Sequence, residues 1–180
     1  MTKKEMTEIF SVMMLAWPNA EMFKGGIQKL APTIELWTAC LSDVDFWTAQ
    51  RAVIKLCQEC KFPPSIAEFK EKSASVQHEV SRLINMAWQE IKLALHEHKT
   101  PEAVYGDLSG SLAGKAIEAM GGPGALIVQG IHIYGDGRRE PYEYYDYDSF
   151  KKAATKIIQS KPALGGNRRP ALTDTEGRTQ

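Results

Sequence analysis

The sequence predicts a mainly α-helical protein: a small N-terminal helical bundle, then a long helix and a second helical region. Apolar residues recur every three or four positions through most of residues 3–98 and again over 111–120 and 149–160, which is the spacing of a buried helix face. Prolines and paired glycines separate these stretches. Only residues 131–147 alternate in the manner of strands, and they predict a short β-hairpin.

The N-terminal bundle is predicted to begin with three helices, over residues 3–17, 32–41 and 44–60. Pro18 ends the first helix because proline cannot donate the next backbone hydrogen bond. Trp37 lies on the apolar face of the second helix. Ser42 and Asp43 precede the third helix and are its candidate N-caps, since short polar side chains can accept from the first free amides.

Residues 61–69, Lys-Phe-Pro-Pro-Ser-Ile-Ala-Glu-Phe, predict a rigid corner between two helices. Pro63 and Pro64 each fix φ and disfavour a helical conformation in the residue before them. Ser65 precedes Glu68 by three positions, which is the spacing of a helix capping box. We expect a new helix to start there. Three apolar side chains are expected to anchor the corner: Phe62, Ile66 and Phe69.

Beyond the corner, the clearest helical pattern covers residues 76–98. Ser73-Ala74-Ser75 either kinks the chain or lies inside one continuous helix. Thr100 is a candidate cap for a short helix, and another helix over 111–120 ends at a glycine pair. Asp148 is the candidate cap of a last helix that ends near residue 160.

Three parts are expected: an N-terminal helical domain over 1–74, a long helix with a smaller helical region over 75–160, and a flexible basic tail over 161–180. The formal net charge is zero, but residues 76–147 hold six basic and ten acidic side chains, whereas residues 148–180 hold seven basic and three acidic ones. A basic tail can contact an acidic protein surface or a phosphate backbone.

Composition argues against several classes of protein. No run of about 18 apolar residues occurs, so we expect no membrane span. Lysines near the N-terminus are interrupted by acidic residues, which argues against a secretory signal. The three cysteines argue against a disulfide framework and for a reducing cytosol.

Candidate catalytic and metal motifs are incomplete. Cys57 and Cys60 have the spacing of half a zinc site, but no second close pair of ligands occurs. Residues 110–116 resemble a phosphate loop, yet they have one residue too few between the glycines and lack the hydroxyl that would bind Mg²⁺. His96 and His98 do not share a helix face. We therefore expect no enzyme activity, no metal site and no cofactor.

Tyrosines cluster near the predicted hairpin and are candidates for stacking on the bases of single-stranded nucleic acid. They are Tyr134, Tyr142, Tyr144, Tyr145 and Tyr147. Several carboxylates accompany them, and only Arg138 and Arg139 counter that charge, so phosphates would be repelled. We expect packing or a protein contact here, and no direct binding of nucleic acid.

Three landmarks of the N-terminal part occur in a fixed order: Trp17-Pro18-Asn19, then Leu36-Trp37, then Phe62-Pro63-Pro64-Ser65-Ile66-Ala67-Glu68. In this order and spacing, residues 5–72 resemble the replicative-helicase loader and inhibitor family of phages that infect Gram-positive bacteria. The proline corner is the most specific part of the resemblance. The family markers, for which a structural role is expected, are Trp37, Phe62, Pro63, Pro64, Ser65 and Glu68.

The resemblance implies an adaptor without ATPase activity in the cytoplasm of the host bacterium. Such proteins bind the hexameric replicative DNA helicase, hold it inactive and deliver it to an origin bound by the phage initiator. The family's tail is implicated in helicase contact, which makes Arg168, Arg169 and Arg178 candidate contact residues here. Two alternatives stay open: a DNA-binding replisome organiser, and an inhibitor of host replication that does not load helicase.

Overall fold

Helices form most of the structure, a computed structural model that describes residues 1–98 and 100–160. The α-helices are α1 (Lys3–Ala16), α2 (Ala31–Cys40), α3 (Phe46–Glu59), α4 (Ile66–His98), α5 (Pro101–Leu108), α6 (Leu112–Met120) and α7 (Tyr147–Ser160). Strands β1 (Ile127–Ile133) and β2 (Arg139–Tyr145) form one hairpin. The predicted mainly helical class is confirmed. The predicted disordered tail, residues 161–180, lies outside the described residues.

The first hydrophobic core lies among α1, α2, α3 and the start of α4. Trp37 is at its centre, with only 4% of its surface exposed. Its ring meets Phe10 edge-on at 5.2 Å between centroids and Phe69 at 5.5 Å. Edge-to-face contacts of this kind add to the stabilisation from burial alone. Trp37 therefore joins three helices, one of which starts at the proline corner.

Helix α4 is continuous over 33 residues and passes through Ser73-Ala74-Ser75 without a break. Ser73 is buried, and its hydroxyl donates to the Phe69 carbonyl oxygen at 2.8 Å. This bond satisfies the buried Ser73 hydroxyl within the helix. Of the two outcomes left open by the sequence, the continuous helix is the one observed. The proposed division at residue 74 falls within it and stays a prediction.

The second hydrophobic core combines the later part of α4 with α5, α6 and α7. Phe150 is fully buried and packs on Trp88 at 5.0 Å between ring centroids. Tyr147 also contacts Trp88, and its hydroxyl donates to the Asn85 side-chain oxygen at 2.7 Å. Helix α4 thus contributes to both cores.

The cap of α3 differs from the sequence prediction. Asp45 caps α3, accepting from the Thr48 amide at 3.0 Å, in place of Ser42 and Asp43. Asp43 instead pairs with Lys70 at 3.2 Å. The cap shifts because Val44 turns into the first core, where it is 4% exposed, before the helix can begin.

Asp146, not Asp148, caps α7. The Asp146 carboxylate accepts from the Ser149 amide at 2.9 Å, which places Asp148 inside the first turn. Asp148 still favours the helix, because a negative charge near the N-terminus complements the helix dipole. The predicted cap Thr100 is confirmed, and Ser111 caps α6 in the same way, since each accepts from a backbone amide three residues later.

The hairpin is longer than predicted, because it begins at Ile127 rather than near residue 131. Its antiparallel register pairs Ile127 with Tyr145 and Ile133 with Arg139. The turn closes with the Tyr134 amide donating to the Arg138 carbonyl oxygen at 2.9 Å. Gly137 has a φ of 84°, a conformation that glycine adopts without steric cost.

Candidate functional site

The proline corner lies between α3 and α4, as the sequence predicts. Glu68 accepts from the Ser65 amide and from the Ser65 hydroxyl, each at 2.7 Å, while the Ser65 oxygen accepts from the Glu68 amide at 3.3 Å. These reciprocal bonds form the predicted capping box. Pro64 is buried and Pro63 is half-buried. The corner therefore fixes the direction in which α4 leaves α3.

Phe62 does not anchor the corner, which corrects the expectation from its apolar character. Its side chain is 71% exposed, whereas Phe69 is fully buried. Phe69 and Pro64 occupy the interior side of the corner, and Phe62 lies on the outside. The Lys61 ammonium lies 5.7 Å from the centre of the Phe62 ring.

The first landmark of the chain meets the corner in space. The Trp17 indole nitrogen donates to the Cys60 carbonyl oxygen at 3.3 Å. Around this contact lies an open cavity of about 290 Å³. Its lining combines the end of α1 with the start of the corner and includes Trp17, Pro18, Asn19, Lys61, Phe62 and Pro63. Two segments more than forty positions apart thus form one mostly apolar depression with a lysine at its edge.

The family markers occupy three places in the structure. Phe62 and Pro63 line the cavity, and Pro64, Ser65 and Glu68 hold the corner behind it. Trp37 is separate, because it is buried in the first core and does not line the cavity. The sequence grouped these residues by order along the chain, and the structure assigns Trp37 to packing.

Two ion pairs connect α4 to α3 at the surface of the first core. Lys72 pairs with Glu59 at the end of α3, and this hydrogen bond raises the pKa of Lys72. Lys55 on α3 pairs with Glu79 on α4 at 2.6 Å and lowers the pKa of that carboxyl. Both pairs remain partly exposed to solvent, so each contributes little to stability alone. They orient α4 relative to α3 next to the corner.

The corner carboxylate also has a shifted pKa. The Ser65 backbone amide, followed by the Ser65 hydroxyl, lowers the pKa of Glu68 because both groups donate to the ionised carboxylate. Glu68 is thus held as an anion that caps α4. Its Oε2 atom accepts both bonds from Ser65, which indicates a structural role.

Cys57 and Cys60 lie beside the corner as free thiols. Burial raises the pKa of the Cys57 thiol, and a thiol of raised pKa is a poorer nucleophile and metal ligand. Within residues 1–98 and 100–160, no group of three or more His, Cys, Asp or Glu side chains is placed to hold a metal ion.

The glycine-rich segment over residues 110–116 covers the end of the short α5–α6 connection and the first turn of α6. Ser111 caps α6, and Gly114 packs directly on the backbone of α5. A Cβ atom at Gly114 would lie 2.1 Å from the Leu108 carbonyl oxygen, closer than any real contact. Close helix packing therefore accounts for this glycine.

The remaining predicted contact residues lie elsewhere. Tyr144 and Tyr145 are exposed on the hairpin, whereas Tyr147 is packed against Trp88. Arg168, Arg169 and Arg178 lie outside the described residues.

No helix in the described part of the chain is long and apolar enough to cross a membrane.

Comparison with known proteins bears on the part of the chain that contains the corner. Residues 1–70 match the family model for the N-terminal domain of the phage gene 39 protein, a helicase loader and inhibitor. That range includes α1 to α3, the cavity and the capping box. It supports the resemblance to phage helicase loaders and inhibitors over these 70 residues. No curated protein and no solved structure matches the chain significantly.

Proposed function

We propose that this protein is a non-enzymatic adaptor of phage DNA replication. It binds the hexameric replicative helicase, holds it inactive and delivers it to the initiator-bound origin in the cytoplasm of the host bacterium. The observation that carries the proposal is the match of residues 1–70 to the N-terminal domain of the phage helicase loader and inhibitor. The proline corner, which the sequence singles out, lies inside that range.

The cavity at the corner supports a role in protein contact. Phe62 exposes an aromatic ring on a rigid support, because Pro63, Pro64 and the capping box fix the backbone behind it. Exposed aromatic side chains on preorganised backbone are typical anchors of protein interfaces. We assign this surface to the contact with the phage initiator. We assign the tail, with Arg168, Arg169 and Arg178, to the contact with helicase.

Loading requires a difference in affinity between states of the helicase. An adaptor that binds the inactive ring more tightly than the active one holds it inactive, and a competing partner at the origin then releases it. A segment that orders only on binding suits such a cycle, because the ordering cost lowers affinity and permits release.

Co-elution tests the proposal. The full chain is mixed with a replicative helicase of the phage or its host, with nucleotide at low salt, and passed over a size-exclusion column. We expect the chain to elute with the hexamer, and a form ending at residue 160 to lose most of this binding. A full chain that never elutes with helicase contradicts the proposal.

A second arm tests the corner. Phe62→Ser is expected to weaken binding to the initiator while leaving the fold unchanged. Leu36→Ser is the matched control, since Leu36 is also an exposed apolar residue of the matched region, at 56%, but does not line the cavity. Equal loss in both variants would argue against the corner as a specific contact.

One observation favours the DNA-binding alternative. Lys151, Lys152 and Lys156 are exposed on one side of α7. They line a second surface depression together with Thr155 and Asp148. A salt-dependent shift of labelled DNA by the full chain, lost in the triple Lys→Gln variant, would support direct binding.

An unwinding assay distinguishes a loader from a protein that only inhibits helicase. Addition of the initiator restores the unwinding activity of the helicase only if the chain is a loader.

A further inference from the structure

Exposed apolar side chains concentrate on the hairpin, which lies outside the range matched by the family model. Ile131 is 63% exposed and Ile133 is 62% exposed. Tyr134, Tyr144 and Tyr145 are exposed nearby. Scattered exposed apolar residues are common, but a cluster on one small element marks an interaction surface.

The two outer edges of the hairpin differ in chemistry. β2 has the sequence Arg-Glu-Pro-Tyr-Glu-Tyr-Tyr, and its proline and charges are the features that protect an edge strand from pairing. β1 has the sequence Ile-Val-Gln-Gly-Ile-His-Ile, with no lysine, no carboxylate and no proline. Among the described residues, only β2 pairs with β1. The outer edge of β1 therefore presents unpaired backbone groups without protection.

One face of the hairpin is also without cover. The register places Ile131 opposite Pro141 and Ile133 opposite Arg139. Since side chains alternate along a strand, Gln129, Ile131 and Ile133 share a face. A two-stranded hairpin is marginally stable by itself, and additional strands stabilise it.

We propose that β1 pairs antiparallel with β1 of a second copy of this chain, which forms a four-stranded sheet around a two-fold axis. An uncharged strand meets its own copy without charge repulsion, and the same seven residues serve both partners. The pairing satisfies the outer backbone groups of β1 and extends the face that holds Ile131 and Ile133. The protected β2 strands form the new edges.

The surface is small, so the dimer is expected to be concentration-dependent. A dimer presents two N-terminal domains, and two linked contacts on a symmetric ring bind more tightly than one. This consequence rests on the proposed function, whereas the pairing itself does not. The test uses the purified full chain alone, so its failure would leave the helicase proposal standing.

Sedimentation velocity over a range of concentrations tests the dimer. Gln129→Lys is the main variant, because Gln129 already donates to Glu143 at 3.0 Å and a lysine there keeps a cross-strand partner within the hairpin. It also places a charge on the proposed dimer strand of both copies. We expect its dissociation constant to rise about tenfold or more. Leu93→Lys is the control, since Leu93 is 65% exposed on α4, and it should leave the dimer unchanged.

Hydrogen exchange identifies the strand involved. Amides within residues 127–133 should gain protection as the concentration of the chain rises, while those of α4 should not change. A chain that stays monomeric, a dimer unaffected by Gln129→Lys, or a dimer without added protection in β1 would each overturn the proposal. The proposal would also be overturned if the chain is a monomer and its β1 amides gain protection only when another protein is added. The outer edge of β1 would then be the binding site for that protein.

Discussion

The indole nitrogen of Trp17 donates to the carbonyl oxygen of Cys60 at 3.3 Å and thereby joins the end of α1 to the end of α3. The Cys60 carbonyl is among the last of α3, which have no partner within the helix. The Trp17 side chain is buried, and the bond itself is partly buried. The contact fixes where the chain enters the proline corner.

Replacing Trp17 by phenylalanine should remove this bond and keep most of the apolar contact. We expect a loss of about 1 kcal/mol in the free energy of unfolding, the usual contribution of one hydrogen bond. Urea denaturation followed by circular dichroism measures it. Leu15→Ala is the control, because Leu15 is largely exposed near the end of the same helix. An equal effect of both changes would show that the bond contributes nothing.

Ser65→Ala should destabilise the chain through the capping box. The hydroxyl accepts from the Glu68 amide, and loss of such a cap costs about 1 kcal/mol. Ser65→Thr keeps the hydroxyl and should cost clearly less in the same denaturation experiment. If the alanine and threonine variants unfold at the same urea concentration, the cap is unimportant.

The capping box should also make stability depend on pH. The pKa of Glu68 is lower in the folded chain than its ordinary value of 4.5. A carboxyl of lowered pKa contributes stability that is complete well above 4.5 and is lost as the pH falls through its folded pKa. The stability difference between the natural chain and Glu68→Gln should therefore shrink below about pH 4.5. If the difference stays constant from about pH 7 to about pH 3, the ionised Glu68 carboxylate is not the source of the stability.

Gly114→Ala and Gly106→Ala should have opposite effects. The added methyl at Gly114 meets the Leu108 carbonyl, so α5 and α6 must separate, at a cost of about 1–3 kcal/mol. Gly106 lies inside α5 with open space around it, and alanine there should stabilise the helix by about 0.5–1 kcal/mol. Thermal unfolding of both variants compares the two. A neutral Gly114→Ala would mean that the helices pack less closely.

The helices were predictable because their apolar spacing is a local property of the sequence. The exact N-cap residues were less predictable. Asp43 and Asp45 could both cap α3, and the burial of Val44 decides between them. The apolar character of Phe62 suggested burial, but Phe69 and Pro64 occupy the interior instead.

The candidate site was predictable only in its parts. Trp17-Pro18-Asn19 and the proline corner are both visible in the sequence, yet nothing local shows that they meet. Their contact depends on how α1 packs against α3, which is a property of the whole core. The unprotected β1 edge depends likewise on the start of the strand at Ile127, since the residues before 131 lack the alternation that identified the hairpin.

The length of α4 has a mechanical consequence. A helix of 33 residues is about 50 Å long, and this one carries the corner at its first turn and the second core along its later turns. Because the helix continues unbroken through Ser73, it acts as a spacer between the corner and the second core. Two partners bound to its opposite ends would be kept at a set distance, and a rotation imposed on one would turn the other.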